Sequence, residues 1–213
     1  MSDDIYKHAD KAIRRIGVYV RKEFQDYSSQ TGFDELNVIE VKEDVTKIYD
    51  RIDKVVRSEF KKVGKKVFEA TKEEAGEDAR GIAFPIWPLI LALLKGYNPT
   101  TKFVYTREWT RKRERMFESI ISSEGNQDMR RSIKRGIDVL TNQIGQYADL
   151  ITDEVRHEVF KEMGADEVMW NTQEDERVCV ICREREGEIY PINEVPEKHW
   201  HCRCYLTPVF KDD

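Results

Sequence analysis

Cys179, Cys182, Cys202 and Cys204 all fall in the last 35 residues of a 213-residue chain, and His199 and His201 stand beside the later pair. A Cys-x2-Cys turn lets two thiolates converge on one ion. A second ligand group returning after sixteen intervening residues closes the tetrahedron that zinc prefers. His199 and Cys202 are three apart, so one turn can aim both at a common point, and Cys202 and Cys204 share a face if the chain there is extended. Five donors compete for four places. Cys179, Cys182, His199 and Cys202 are the favoured set, with Cys204 as the substitute for Cys202 or His199. His201 has the weaker claim, because its neighbours on either side already supply ligands. The competing reading is four reduced cysteines serving as small hydrophobes.

Clustered cysteines favour a metal over disulfides in a reducing compartment. Residues 1–10 carry acidic side chains where a secretory leader needs a basic start and an apolar run, so folding in the cytoplasm is expected. Thiolate-rich closed sites are structural, and the expectation is structural zinc with no catalytic residue, although Glu194 and Glu197 are near enough in sequence to serve an open zinc position. The His-x-Glu and Pro-Cys-x2-Cys pattern of the zinc base deaminases is absent.

Positioning such a knot falls to a helical chain. Ile5, Ala9, Ala12, Ile13, Ile16, Val20 and Phe24 recur at helical steps, and after a break at residues 28–32 so do Val45, Ile48, Tyr49, Ile52, Val56, Phe60, Val63 and Val67. The two stripes can bury one another as a hairpin, or form an arm that docks on a partner. A soft boundary follows near residue 80. The apolar run 82–94 holds Pro85 and Pro88 and spans 13 residues, short of the roughly 20 a membrane helix needs. It predicts a short helix over 89–94 with Pro88 in its first turn, buried internally rather than left as a docking patch. A long helix is expected from about Asp128 to Met163, capped by Gly164, with a kink or close packing at Gly136 and Gly145. His157 beside its apolar stripe reads as a packed histidine. A short strand over 168–172 follows. The fold class is mainly α, long amphipathic helices followed by a small α+β subdomain with a β-hairpin and the Cys/His site. The units expected are 1–80, 81–165 and 166–213.

Charge narrows the partners. Asp and Glu number 41 against 36 Lys and Arg, a net charge of −5, which disfavours a dedicated duplex-DNA reader. Residues 107–135 nevertheless hold nine cations and five anions, a local +4, arranged around Trp109. Arg111, Arg113, Arg130 and Arg131 are the candidates for contact with nucleic acid or an acidic partner. Against that, Glu108, Glu114 and Glu118 interleave at spacings that permit ion pairs within a solvated helix face.

Trp170-Asn-Thr172, Asp175-Glu-Arg-Val-Cys179, Cys182, Gly187, Tyr190, Pro196, His199, Cys202-Arg-Cys204 and Pro208 together resemble the C-terminal signature of the phage Mu F-like minor head proteins, also called phage head morphogenesis proteins. The likeness extends more weakly through Tyr97-Asn-Pro99, the Arg-rich helix and Ile151-Thr-Asp-Glu154, about the second half of the chain. Where that family often has a proline or small residue between its final His and Cys, this chain has Trp200-His201. The resemblance implies a minor head (capsid) protein of a tailed phage or prophage, made in the host cytoplasm and housed inside the head. It implies the portal protein and the major head protein as partners, non-specific contact with DNA, no membrane, and a role in head assembly, DNA packaging or DNA delivery. The rival readings are a zinc-dependent treble-clef-type nuclease and a nucleic-acid-binding zinc protein.

Overall fold

The computed structural model describes residues 2–98, 103–173, 178–199, 202 and 204–210. The first stripe becomes α1 (Ser2–Gln30), and Ala9, Ala12, Ile16, Val20 and Phe24 are fully buried along it. The second becomes α2 (Val38–Ala75). Its start is fixed by Asn37, whose side chain accepts from the backbone N–H of Ile39 at 2.9 Å, and its end by Gly76 at φ 69°, a conformation that favours glycine. Then come α3 (Ile86–Lys95), α4 (Tyr105–Ile121) and α5 (Asn126–Glu162). Between α3 and α4, β1 (Tyr97–Asn98) pairs antiparallel with β2 (Phe103–Val104). Sequence periodicity gave no sign of so short a pair.

The apolar run behaves as expected. Ile90 and Leu94 of α3 are fully buried, and α3 lies so close to α2 that a Cβ on Gly64 would meet Ile90 Cδ1 at 2.6 Å and Ile86 Cγ2 at 2.9 Å. Pro88 sits in the first turn, where its missing N–H is harmless. The glycines of α5 divide. At Gly136 a Cβ would fall 2.3 Å from Met116 Cε, so close packing holds there, whereas at Gly145 the nearest atom, Ile13 Cδ1, would be 3.8 Å away. α5 runs through both without a break in its helix. Gly164 caps it at φ 81°, with its N–H donating to Lys161 O at 2.9 Å.

One apolar cluster contains the buried stripes of α1 to α5. Residues on both sides of position 80 contribute to it, so α1 and α2 are walls of the helical body and no separate core begins there. Rings tie the walls together. Tyr105 stacks on Trp109 with centroids 5.4 Å apart and meets Tyr147 edge-on at 4.8 Å, while Tyr49 bridges Trp109 and Phe24.

Past Gly164 the chain forms a three-stranded antiparallel sheet in the order β4-β3-β5, with β3 (Glu167–Asn171) central, β4 (Ile189–Pro191) and β5 (Tyr205–Val209) at its edges, and α6 (Val180–Glu184) inserted between β3 and β4. The expected hairpin is the β3–β4 pair, enlarged by β5. Its cores are small: Phe160, Ala165, Val168 and Ile192 form one, and Trp170, Cys182 and Cys204 the other.

Steric room separates two glycine substitutions. Gly64→Val should lose about 1–3 kcal/mol to overpacking against Ile86 and Ile90. Gly145→Ala, which meets only an ordinary contact, should gain up to about 1 kcal/mol of helix propensity. Calorimetric unfolding of the two variants beside the parent protein reads opposite shifts in Tm if this packing is right.

Candidate metal centre

The tail brings the cysteines together by three local devices. Cys179 caps the N-terminus of α6, its Sγ accepting the backbone N–H of Cys182 at 3.4 Å, so both thiols of the Cys-x2-Cys turn point the same way. Gly187, at φ 76°, turns the chain back so that its N–H donates to Trp170 O while Trp170 N–H donates to Glu188 O, both at 2.9 Å. A tight turn then carries Cys202 N–H to His199 O at 3.1 Å, aiming that pair inward from one loop.

His199 Nε2 lies 3.1 Å from Cys179 Sγ and 3.0 Å from Cys182 Sγ, and Cys182 Sγ lies 3.6 Å from Cys202 Sγ. Two groups of three donors form, with the ligand atoms of each within 4.8 Å of one another: Cys179, Cys182 and His199, and Cys182, Cys202 and Cys204. All five expected donors therefore gather at one place, with Cys182 common to both groups. None of the cysteines is in a disulfide. Cys182 and Cys204 are buried against the fully buried Trp170, while Cys179 and Cys202 are half-buried and His199 exposed. His201 lies outside the described residues.

Electrostatics divides the thiols into two kinds. The Cys182 N–H lowers the Cys179 thiol, and a hydrogen bond from Cys204, followed by the charge of Lys198, brings Cys202 down to about 5. Burial pushes Cys182 up to about 12, and Cys204 is raised chiefly by its hydrogen bond to the Cys202 thiolate. Cys202 thus stands ready as a thiolate and Cys179 is shifted toward one, while Cys182 and Cys204 hold protons that a metal would displace. A donor set of sulfur and imidazole, presented on three short turns around a buried indole, can hold a metal ion.

The centre is anchored to the helical body through its neighbours. Lys198 Nζ donates to Asp153 Oδ1 of α5 at 2.7 Å and to Tyr6 OH of α1 at 3.3 Å, and the Tyr6 hydroxyl also donates to Asp153. His157 Nε2 meets Ile192 O at 2.6 Å, which makes it the packed histidine its position suggests. Arg156 Nη2 donates to Leu206 O of β5 at 3.3 Å and lies 3.6 Å from Glu74 of α2. Along this seam runs a cavity of about 320 Å³ that reaches His199 and Cys202 and is walled by Asp149, Asp153, Glu154 and His157. Of Glu194 and Glu197, the carboxylates considered for an open zinc position, Glu197 lines it. Sequence reading missed Asp149, Asp153 and Lys198, although the spacing of the two aspartates, four apart on α5, already placed them on one face.

The arginine candidates are dispersed. Arg113 pairs with Glu114 at 3.1 Å, and Arg111, Arg130 and Arg131 are exposed on α4 and α5. Trp109, expected to offer a stacking surface among them, is 7% exposed and stacks on Tyr105 in the core, so it presents no face to a base. Among the described residues no helix is long and apolar enough to cross a membrane. Comparisons with protein-family models, with curated proteins and with solved structures return no match.

Replacing Cys182 by Ser removes the thiol shared by both donor groups. Elemental analysis of the reduced protein should fall from about one equivalent of metal to far less. Residues 170–208 should become open to protease while the helical circular dichroism persists, because metal binding there is folding energy. A second outcome concerns pH. Burial, reinforced by the charge of Asp153, pushes the Asp149 carboxyl up to about 7. Between its ordinary value and that point the folded chain keeps a proton that the unfolded chain has released, so this group's contribution to stability falls as pH rises. Asp149→Asn should therefore raise Tm more at pH 8 than at pH 4.5, as thermal melts at the two values would read.

Proposed function

We propose that the chain is a minor head protein of a tailed phage or prophage, associated with the portal inside the head and acting in head assembly, DNA packaging or DNA delivery. What supports the reading is that the residues of the tail signature have interlocking places in one small unit. Trp170 is fully buried against Cys182 and Cys204, Tyr190 meets its ring edge-on at 6.4 Å, Gly187 takes the left-handed turn, and Pro208 sits opposite Val168 in the β3–β5 register. The types fixed in the motif are the types this unit needs.

Zinc is the metal we assign to the centre. The 3.6 Å between Cys182 and Cys202 sulfurs is close to the edge of a tetrahedron whose Zn–S bonds are about 2.3 Å. Cys179, Cys182, His199 and Cys202 would hold it, with Cys204 as the alternative to Cys202 or His199. When bound, zinc supplies a closed structural crosslink. The chain's own residues do the rest: Lys198 and Arg156 fix the knot to α1, α2 and α5, and the helical body presents the docking surface.

A nuclease is the second reading, favoured by the acidic cavity beside His199. It needs a hard-metal site next to the zinc. Among the described residues, every group of three or more donors close enough to share an ion contains only Cys and His.

Coexpression with portal and major head proteins tests the assignment. Copurification of this chain with portal subunits, and its presence in assembled heads, is the expected result; neither occurring would overturn it. Changing Arg111, Arg113, Arg130 and Arg131 together to Glu should leave Tm almost unchanged, since exposed charges contribute about 0–1 kcal/mol each. The same variant should enter heads poorly or lose DNA retention on filters.

A further inference from the structure

Between α4 and α5 lies a hollow of about 210 Å³ lined by Lys112, Arg115 and Ser119 from one helix and Ser132, Arg135 and Gly136 from the other. Its shape follows from the sequence. Lys112, Arg115 and Ser119 fall at helical steps of three and four, as do Ser132, Arg135 and Gly136, so each trio faces the other across the groove. Gly136 has no Cβ, and Met116 packs into that gap as the floor.

Three cations converge here, and among the described residues no carboxylate lines the hollow and none of the three forms an ion pair. Of the three acids of α4, Glu108 accepts from Gln143 Nε2 at 2.5 Å, Glu114 pairs with Arg113 at 3.1 Å, and Glu118 is exposed and does not line the hollow. Burial first, and then the charges of Arg115 and Arg111, hold the Lys112 ammonium below its ordinary value despite the pull of Glu108. A small concave site with three uncompensated positive charges is complementary to a compact anion bearing more than one negative oxygen.

We propose that this hollow binds a phosphate group, with Lys112, Arg115 and Arg135 supplying charge and the Ser132 hydroxyl a neutral hydrogen bond. Ser119 is already committed, its hydroxyl donating to Arg115 O at 2.7 Å. Phosphate is favoured over a carboxylate because two guanidiniums can each fork onto a pair of its oxygens while the ammonium takes another. The site differs from the arginines picked out by sequence: Arg113, Arg130 and Arg131 are not among the residues lining it. Only the source of the phosphate, a nucleic-acid backbone as against the free ion, rests on the proposed head function.

The test uses the full chain and the double variant Arg115→Gln/Arg135→Gln, with Lys65→Gln/Lys66→Gln, exposed on α2, as a charge-matched control. Inorganic phosphate is titrated at constant ionic strength against chloride, followed by thermal shift and by 31P line broadening. The expected result is a phosphate-specific rise in Tm for the parent and the control, with affinity more than about tenfold weaker in Arg115→Gln/Arg135→Gln. Neither variant should melt below the parent in chloride, which excludes misfolding as the cause. Absence of any phosphate-specific shift in the parent, or equal loss in both variants, overturns the site. A short duplex then identifies the source: if the backbone is the ligand, the salt slope of binding falls by about 2 in Arg115→Gln/Arg135→Gln beyond any fall in the control. An unchanged slope with phosphate binding lost assigns the hollow to free phosphate and rejects the backbone. Portal copurification depends on none of these arms, so failure here and failure of the head assignment are read separately.

Discussion

Burial of α5 along most of its length is the constraint that shapes everything around it. Fifteen of its residues are buried, from Met129 to Phe160, and no single neighbour can cover so long an apolar stripe. The first half therefore lies against α4, the middle against α1 and α2, and the last turns against the sheet, where Phe160 joins Val168 and Ile192. A helix buried this way cannot be scaffold for one unit alone. It carries the positions that meet the tail, Asp153, Arg156 and His157, at a fixed register to the body core.

The tail answers a different shortage. Its two apolar clusters hold four and three buried residues, two of the latter three being cysteines. So little apolar surface cannot offset the entropy of ordering the connections between its strands. An ion shared by these cysteines and His199 would remove that deficit, and the Trp170 indole gives the sulfurs a dry wall on one side. The seam then joins this unit to the body through polar contacts, of which the pairing of Lys198 with Asp153 matches buried charge with charge. Its order thus depends on the knot, while the body core stands on apolar contacts of its own.

Much of this was legible in the chain itself, and the reasons differ by element. The α1, α2 and α5 stripes show because a 3.6-residue period sustained over many turns has few competing explanations. The Cys and His donors show because all four cysteines and two histidines fall in one short stretch. What stayed hidden depended on the third dimension. Helical phase shows that Arg113 and Arg115 point apart, yet only the packing of α5 decides that Arg115 faces Arg135 across a hollow. Trp109 sits among five cations and reads as a surface ring, but Tyr105 stacks on it and Tyr49 meets it at a steep angle in the core. The β1–β2 pair, two residues a side, is below any periodic signal. Lys198 gave no sign because its partners are 45 and 192 residues away.

The charges of α5 are sorted by what each half faces. Its end turns obey the helix dipole, with Asp128 in the first and Lys161 in the last. Inside those turns the order runs the other way: Arg130, Arg131, Lys134 and Arg135 come early, and Asp149, Asp153, Glu154 and Glu158 late. The dipole acts only near the ends, so it neither causes nor opposes this sorting. The late acids face the seam, where Lys198 meets them, and Asp149 is left desolvated beside Asp153. The early cations border α4, whose own cations repeat their sign. Opposite charges meet at the seam and like charges meet at the hollow. Folding alone explains the first arrangement; the second is stabilised only when something negative comes to sit between the helices.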